Sequence, residues 1–178
     1  MSRLSMIPES EANGDVAEVY SALKKGLGRI PNAYATIGSH NPRALQAMLN
    51  ADRTLAGGAL SKQDQETVKL VVSELAGCDY CVAAHTMVGK MVGLSPDDMQ
   101  KIRAGTPTGN EKRDALVSFV RTVVSSSGTI DQSAQKEIMK AGYTETQLVD
   151  ICLAIAVITF TNVFNRINDT DVDFPKVD

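Results

Sequence analysis

The segment from about Glu145 to Asn168 constrains the fold of this chain more than any other. It reads as one long final helix, apolar almost all round at Ile151, Leu153, Ile155, Ile158 and Phe160. A helix without a polar face is buried in a core or in a subunit interface. The rest of the chain supplies helices to cover it. Asn13-Gly14-Asp15 opens a segment to Leu27, with Val16, Val19, Tyr20, Leu23 and Leu27 at helical spacing. Pro31-Asn32 starts a short helix through Ile37. Asn41 then reads as an N-cap before Pro42, opening a helix to about Ala56 that Gly57-Gly58 ends. Ser61-Lys62-Gln63-Asp64 caps a periodic helix carrying Val68, Val71, Val72 and Leu75, and Gly77 divides it from the next one. Ser95-Pro96 caps a short helix to Arg103, residues 104–110 form a loop, and helices follow at roughly 111–126 and 132–141. The acidic tail, 169–178, reads as extended. No strand alternation persists and no internal repeat is visible, so the expected fold is all-α, one domain over 1–178.

A chain of 178 residues can bury about two-thirds of its unfolded surface in a single core. Its 43% hydrophobic content and mean hydropathy of −0.08 are those of a soluble globular protein. A net charge of −3 and 4% aromatic residues offer neither a basic footprint nor stacking platforms for nucleic acid. The N-terminal residues lack an apolar leader. The longest apolar run, Ile151 to Phe160, is broken by Thr159 and is shorter than the ~20 residues of a membrane span. The expectation is a cytoplasmic protein with no membrane partner. Three cysteines in a reducing compartment point to catalysis or metal binding rather than a disulfide scaffold.

Two of those cysteines, Cys78 and Cys81, form a CxxC pair, and His85 follows four residues later. The neighbours Val82-Ala83-Ala84 and Thr86-Met87-Val88 contain no helix breaker. On a helix, offsets of three and seven bring the three side chains onto one face. Cysteines in a first turn feel the positive field of free backbone N–H groups, which lowers a thiol from ~8.5 toward the ~3.5–7.5 of reactive cysteines. Two thiols and a base within two turns point to thiol redox chemistry.

Other readings compete. Structural zinc would need four ligands drawn from Cys78, Cys81, His85, Cys152, His40 and carboxylates, with no second CxxC to close the site. A c-type haem site fails because Val82, not histidine, follows Cys81. Two incidental core cysteines are the plain alternative. Periodicity does not choose between Glu66 and Glu74 as a partner for the pair. Glu66, beside Gln65 and Lys69, reads ordinarily as a solvated surface carboxylate. His40 reads as a turn residue with local hydrogen bonds, Cys152 as a buried inert thiol, and Tyr80 either lends its hydroxyl to the site or faces solvent.

The run from Leu60 to His85, with Glu66 twelve residues before the CxxC pair and His85 four after it, resembles the AhpD-like alkylhydroperoxidases of the carboxymuconolactone decarboxylase superfamily. The end of the last helix, Thr161-Asn162-Val163-Phe164-Asn165-Arg166, looks like that of peroxidase-related members. The resemblance implies an all-helical domain with a redox core at about 60–92, trimeric or hexameric assembly, and reduction of small organic hydroperoxides without a cofactor or metal. It implies Cys81 as the peroxidatic thiol, Cys78 as the resolving thiol, and a His85–Glu66 proton relay, so it selects Glu66 over Glu74. Helix-field reasoning instead favours Cys78 as the more acidic thiol. A dithiol or lipoyl-type protein would be the reductant. The best-known family pattern places a second histidine between the cysteines, where this chain has Tyr80, so the relay would be wired differently. The decarboxylase branch lacks the CxxC pair. A lyase on the same scaffold, or a metal-binding or redox-sensing protein, are the alternatives.

Overall fold

Side-chain caps punctuate the chain. Asn41, Ser61, Cys78, Ser95, Asn110, Asp131 and Thr144 each accept a backbone N–H from the first turn of the helix that follows, meeting donors a helix start leaves unpaired. The computed structural model describes residues 1–177, and the elements begun in this way are helices throughout. They are α1 (Gly14–Leu27), α2 (Asn32–His40), α3 (Pro42–Ala56), α4 (Lys62–Ala76), α5 (Asp79–Met91), α6 (Pro96–Ala104), α7 (Glu111–Ser125), α8 (Gln132–Lys140) and α9 (Glu145–Asn168). The all-α expectation is borne out, and no strand occurs among the described residues. Two details differ from the sequence reading. A 3₁₀ turn at Glu9–Glu11 precedes α1, and α2 runs past Ile37 to His40, because Asn41 in an extended conformation, not the glycine at 38, ends it.

The centre of the fold is α4. Its residues from Gln65 to Ser73 are all buried, because α5, α6, α7 and α9 pack around it. Val68, Leu70 and Val71 join Leu55, Ile102, Leu116, Val120 and Ile151 in the main core, where each buried aliphatic side chain contributes roughly 1.5–3 kcal/mol. A second cluster, Val19, Leu23, Ile37, Leu45, Met48 and Val157, seats α1, α2 and α3 against α9.

The last helix is less covered than its composition suggests. Ile151, Ala154, Ile158, Asn162 and Asn165 face inward, whereas Val149, Phe160, Val163 and Ile167 are exposed in the single chain. Cys152 lies on the exposed side too, not buried as its apolar neighbours implied, because only one stripe of α9 meets α4 and α3. By length and composition α9 is apolar enough to cross a membrane, although the run from Ile151 to Phe160 alone falls short. Here its inner stripe belongs to the core.

The tail follows α9 without regular structure and is strapped to the body, while Asp178 lies outside the described residues. Asp173 pairs with Arg29 and accepts the Asn32 N–H at 3.1 Å. Phe174 packs edge-on to Tyr80 with ring centroids 5.3 Å apart.

The joint between α4 and α5 sets the CxxC pair. Gly77 closes α4 in the left-handed region at φ 64°, and the Cys78 N–H reaches back to the Ser73 carbonyl at 3.0 Å. A Cβ on Gly77 would meet nothing within 4 Å, so a side chain there costs backbone strain rather than a clash. Gly77→Ala is expected to lower stability by about 1 kcal/mol, read as a lower urea midpoint with an unchanged slope. An unchanged midpoint would show that the turn does not require glycine.

Candidate active site

Cys78 is the N-cap of α5 and Cys81 lies one turn in. Both are free thiols, 3% and 2% exposed, with their sulfurs 2.7 Å apart. The Cys78 thiol is lowered to about 7, first because Cys81 hydrogen-bonds its sulfur and, against the cost of burial, because the Cys81 backbone N–H also points at it. That N–H stands 3.4 Å from Cys78 Sγ, so the helix field read from the sequence acts on Cys78. Cys81 is pushed up by its hydrogen bond with Cys78 and by burial, and the Asn165 amide N–H, 3.3 Å from its sulfur, opposes this. Of the two, Cys78 is the more acidic thiol.

Access runs the other way. A cavity of about 530 Å³ is lined by polar residues that include Cys81, His85, Glu66, Lys69, Tyr34 and Asn165, and by apolar ones that include Met48, Met91, Val157, Ile158 and Phe174. Cys81 lines this cavity.

Glu66 is 5% exposed, not a solvated surface residue. It sits on α4, and its Oε2 stands 2.7 Å from His85 Nδ1 on α5. The spacing from Glu66 to His85 becomes a contact because α4 and α5 pack side by side. Burial alone would raise the Glu66 carboxyl, but His85 and then Lys69 outweigh it and hold the carboxyl below its ordinary range. Lys69 Nζ lies 3.4 Å from Glu66 Oε1 and 2.8 Å from Asp52 Oδ1. Burial opposes the Lys69 charge, yet Glu66 and Asp52 together raise its pKa. Asp52–Lys69–Glu66–His85 is one chain of polar contacts across α3, α4 and α5.

The remaining sequence candidates lie elsewhere. Glu74 pairs with Arg103 at 2.7 Å, outside the cavity lining. His40 Nε2 meets the Ser5 carbonyl at 2.9 Å, so its contact reaches the N-terminal segment rather than its own turn. Tyr80 is buried between the cysteines, and its hydroxyl accepts the Ala33 N–H at 3.2 Å, so it neither faces solvent nor bonds a cysteine. Burial raises the Tyr80 and Tyr34 hydroxyls, which stay neutral. No three His, Cys, Asp or Glu side chains gather as a metal site among the described residues.

Residues 41–116 match the carboxymuconolactone decarboxylase family. The matched segment runs from the cap of α3 into α7 and contains Glu66, Cys78, Cys81 and His85. An alkyl hydroperoxide reductase of Mycobacterium tuberculosis is 27% identical over 106 residues, which is 60% of this chain and 30% of that protein's length. This chain thus aligns with about a third of that relative. The fold is AhpD-like. A peroxidase-related protein of Ralstonia eutropha with an alkylhydroperoxidase AhpD core superposes with a TM-score of 0.83 at 19% identity, covering 97% of this chain and 92% of that one. A debrominase superposes at 0.80 with 20% identity, covering 97% and 93%. The resemblance to AhpD-like proteins of this superfamily is borne out.

Reading the motif alone misses Lys69, Asp52 and the bond from Asn165 to Cys81. Polar residues three apart, Glu66 with Lys69 and Asn162 with Asn165, in otherwise apolar helical stretches are the signal that could have found them.

A carboxylate held low by folding adds stability that is complete above its unfolded value of about 4.3 and disappears as pH falls through its lower native value. The stability difference between wild type and Glu66→Gln should therefore be full at neutral pH and shrink below about pH 4, as read from urea midpoints across pH. A difference constant from neutral to acid would contradict an ionised Glu66.

Proposed function

We propose that this protein reduces organic hydroperoxides through a Cys78–Cys81 dithiol/disulfide cycle, with His85 and Glu66 relaying the proton. The observation that carries the reading is the paired thiols, one of them lining a cavity that the His85–Glu66 pair also lines. The 27% identical alkyl hydroperoxide reductase supports the same chemistry.

In the cycle the Cys81 proton passes to the relay or to Cys78. The Cys81 thiolate attacks the terminal oxygen of ROOH, the O–O bond breaks, and RO⁻ takes a proton to leave as ROH. Cys81 is then a sulfenic acid. Cys78 thiolate attacks Cys81 Sγ, hydroxide leaves and is protonated to water, and the disulfide forms. An external dithiol, a lipoyl-type protein among the candidates, restores both thiols by exchange. Glu66 engages His85 Nδ1, so Nε2 is the nitrogen available to exchange protons with the cavity, a general-base contribution of about 10²–10⁴ in rate. The low Cys78 value suits its later step as nucleophile, while access suits Cys81 for the first.

The chain is further proposed to act as a homo-oligomer, trimer or hexamer, in a reducing cytoplasm. The exposed apolar stripe Val149, Phe160, Val163 and Ile167 on α9 supports burial by a second copy.

Cys81→Ser and Cys78→Ser are each expected to abolish multiple turnover of cumene hydroperoxide with a dithiol reductant, with the assembly state unchanged by light scattering. Wild-type turnover in either variant would refute the dithiol cycle.

A further inference from the structure

The dithiol cycle leaves two buried amides beside the sulfurs, Asn162 and Asn165, without a role. Asn165, on the inner face of α9, is 4% exposed and lines the cavity with Cys81. Its Nδ2 donates to Cys81 Sγ at 3.3 Å, and its Oδ1 is buried without a hydrogen-bond partner. Asn162, one turn earlier, has the same orphaned oxygen, gives its N–H to Ser73 Oγ at 3.2 Å and also lowers both thiols, but it does not line the cavity. Buried acceptors are almost always satisfied, because an unmet one forfeits its hydration. An amide with its donor on the nucleophile and its acceptor unmet, on a residue that lines the cavity, can take a hydroxyl donor arriving beside that sulfur.

We propose that Asn165 is a further catalytic residue, its amide N–H stabilising the Cys81 thiolate and its Oδ1 accepting the hydroxyl of the peroxide's terminal oxygen. The inference rests on the peroxidase reading above. In R–O–OH the oxygen that moves to sulfur already carries a hydrogen. Cys81–S⁻ plus HO–OR gives Cys81–S–OH plus RO⁻, so that O–H survives the transfer intact. One acceptor can hold it before attack and afterwards as the sulfenic hydroxyl. When Cys78 then displaces hydroxide from Cys81 Sγ, the hydroxyl leaves and Oδ1 is unmet again. Asparagine suits the position because it is neutral and offers both a donor and an acceptor. An aspartate would repel the thiolate, and an alanine would do neither task.

The test uses full-length protein in a Cys78→Ser background, with Asn165 intact, Asn165→Ala or Asn165→Asp, and folding checked by circular dichroism. Iodoacetamide labelling of Cys81 is followed against pH by peptide mass spectrometry, which keeps Cys152 separate. Sulfenic acid at Cys81 is trapped with dimedone after cumene hydroperoxide. Both substitutions should slow Cys81 labelling at pH 7 by about tenfold, the equivalent of one pKa unit, with the isosteric Asn165→Asp the more severe. The dimedone adduct should fall at least as far. Unchanged labelling and unchanged adduct in the folded Asn165→Asp protein would overturn the proposal, whatever the alanine variant does. No adduct in the parent with Asn165 intact would instead refute the peroxidase reading and the hydroxyl role with it, while the labelling profile still decides the N–H role.

Discussion

A helix buried along nine consecutive residues has no water to meet its polar groups, and much of this structure answers that constraint. Gln65 of α4 donates to the Leu55 and Leu60 carbonyls, each at 3.0 Å, and ties down the loop before it. Glu66 takes His85, Lys69 takes Asp52, and Ser73 takes Asn162. These partners come from α5, α3 and α9, so satisfying α4 also fixes how those helices sit around the cavity. The Lys69–Glu66 pair is expensive to bury and would be more costly still with a member missing, since breaking a buried pair costs about 3–5 kcal/mol. Fold and site are thus held by the same contacts.

The two cysteines divide acidity and access between them. Cys78 takes the backbone N–H of Cys81 as a helix cap and is the lower thiol, whereas Cys81 faces the cavity. The two sulfurs are 2.7 Å apart, close enough for a proton to pass directly between them. The more acidic sulfur and the sulfur that lines the cavity are thus different residues. That removes the conflict between helix-field reasoning and the assignment of the first attack to Cys81.

Helix boundaries were legible because their signals are local. Ser61, Ser95 and Thr144 cap where they should, and Pro42 stands first in α3. The CxxC–His grouping was legible for the same reason, since its members share one helix and its cap. Burial of Glu66 was not, because periodicity describes one helix and not the helices packed around it; the family resemblance supplied what spacing could not. Cys152 and Phe160 erred in the opposite direction. An apolar run promises burial against something, and in α9 only one stripe meets the chain's own core. Asn165 needed three dimensions, since its bond to Cys81 spans 84 positions of sequence.

The central claim is that a hydroperoxide oxidises Cys78 and Cys81 to one another. Intact mass spectrometry with free-thiol titration, before and after one equivalent of cumene hydroperoxide, tests it directly. The expected result is loss of two thiols and a mass decrease of about 2 Da, mapped to a Cys78–Cys81 disulfide. Unchanged thiols and mass would contradict it, leaving an AhpD-like fold whose chemistry must be sought in a lyase or a metal-binding role.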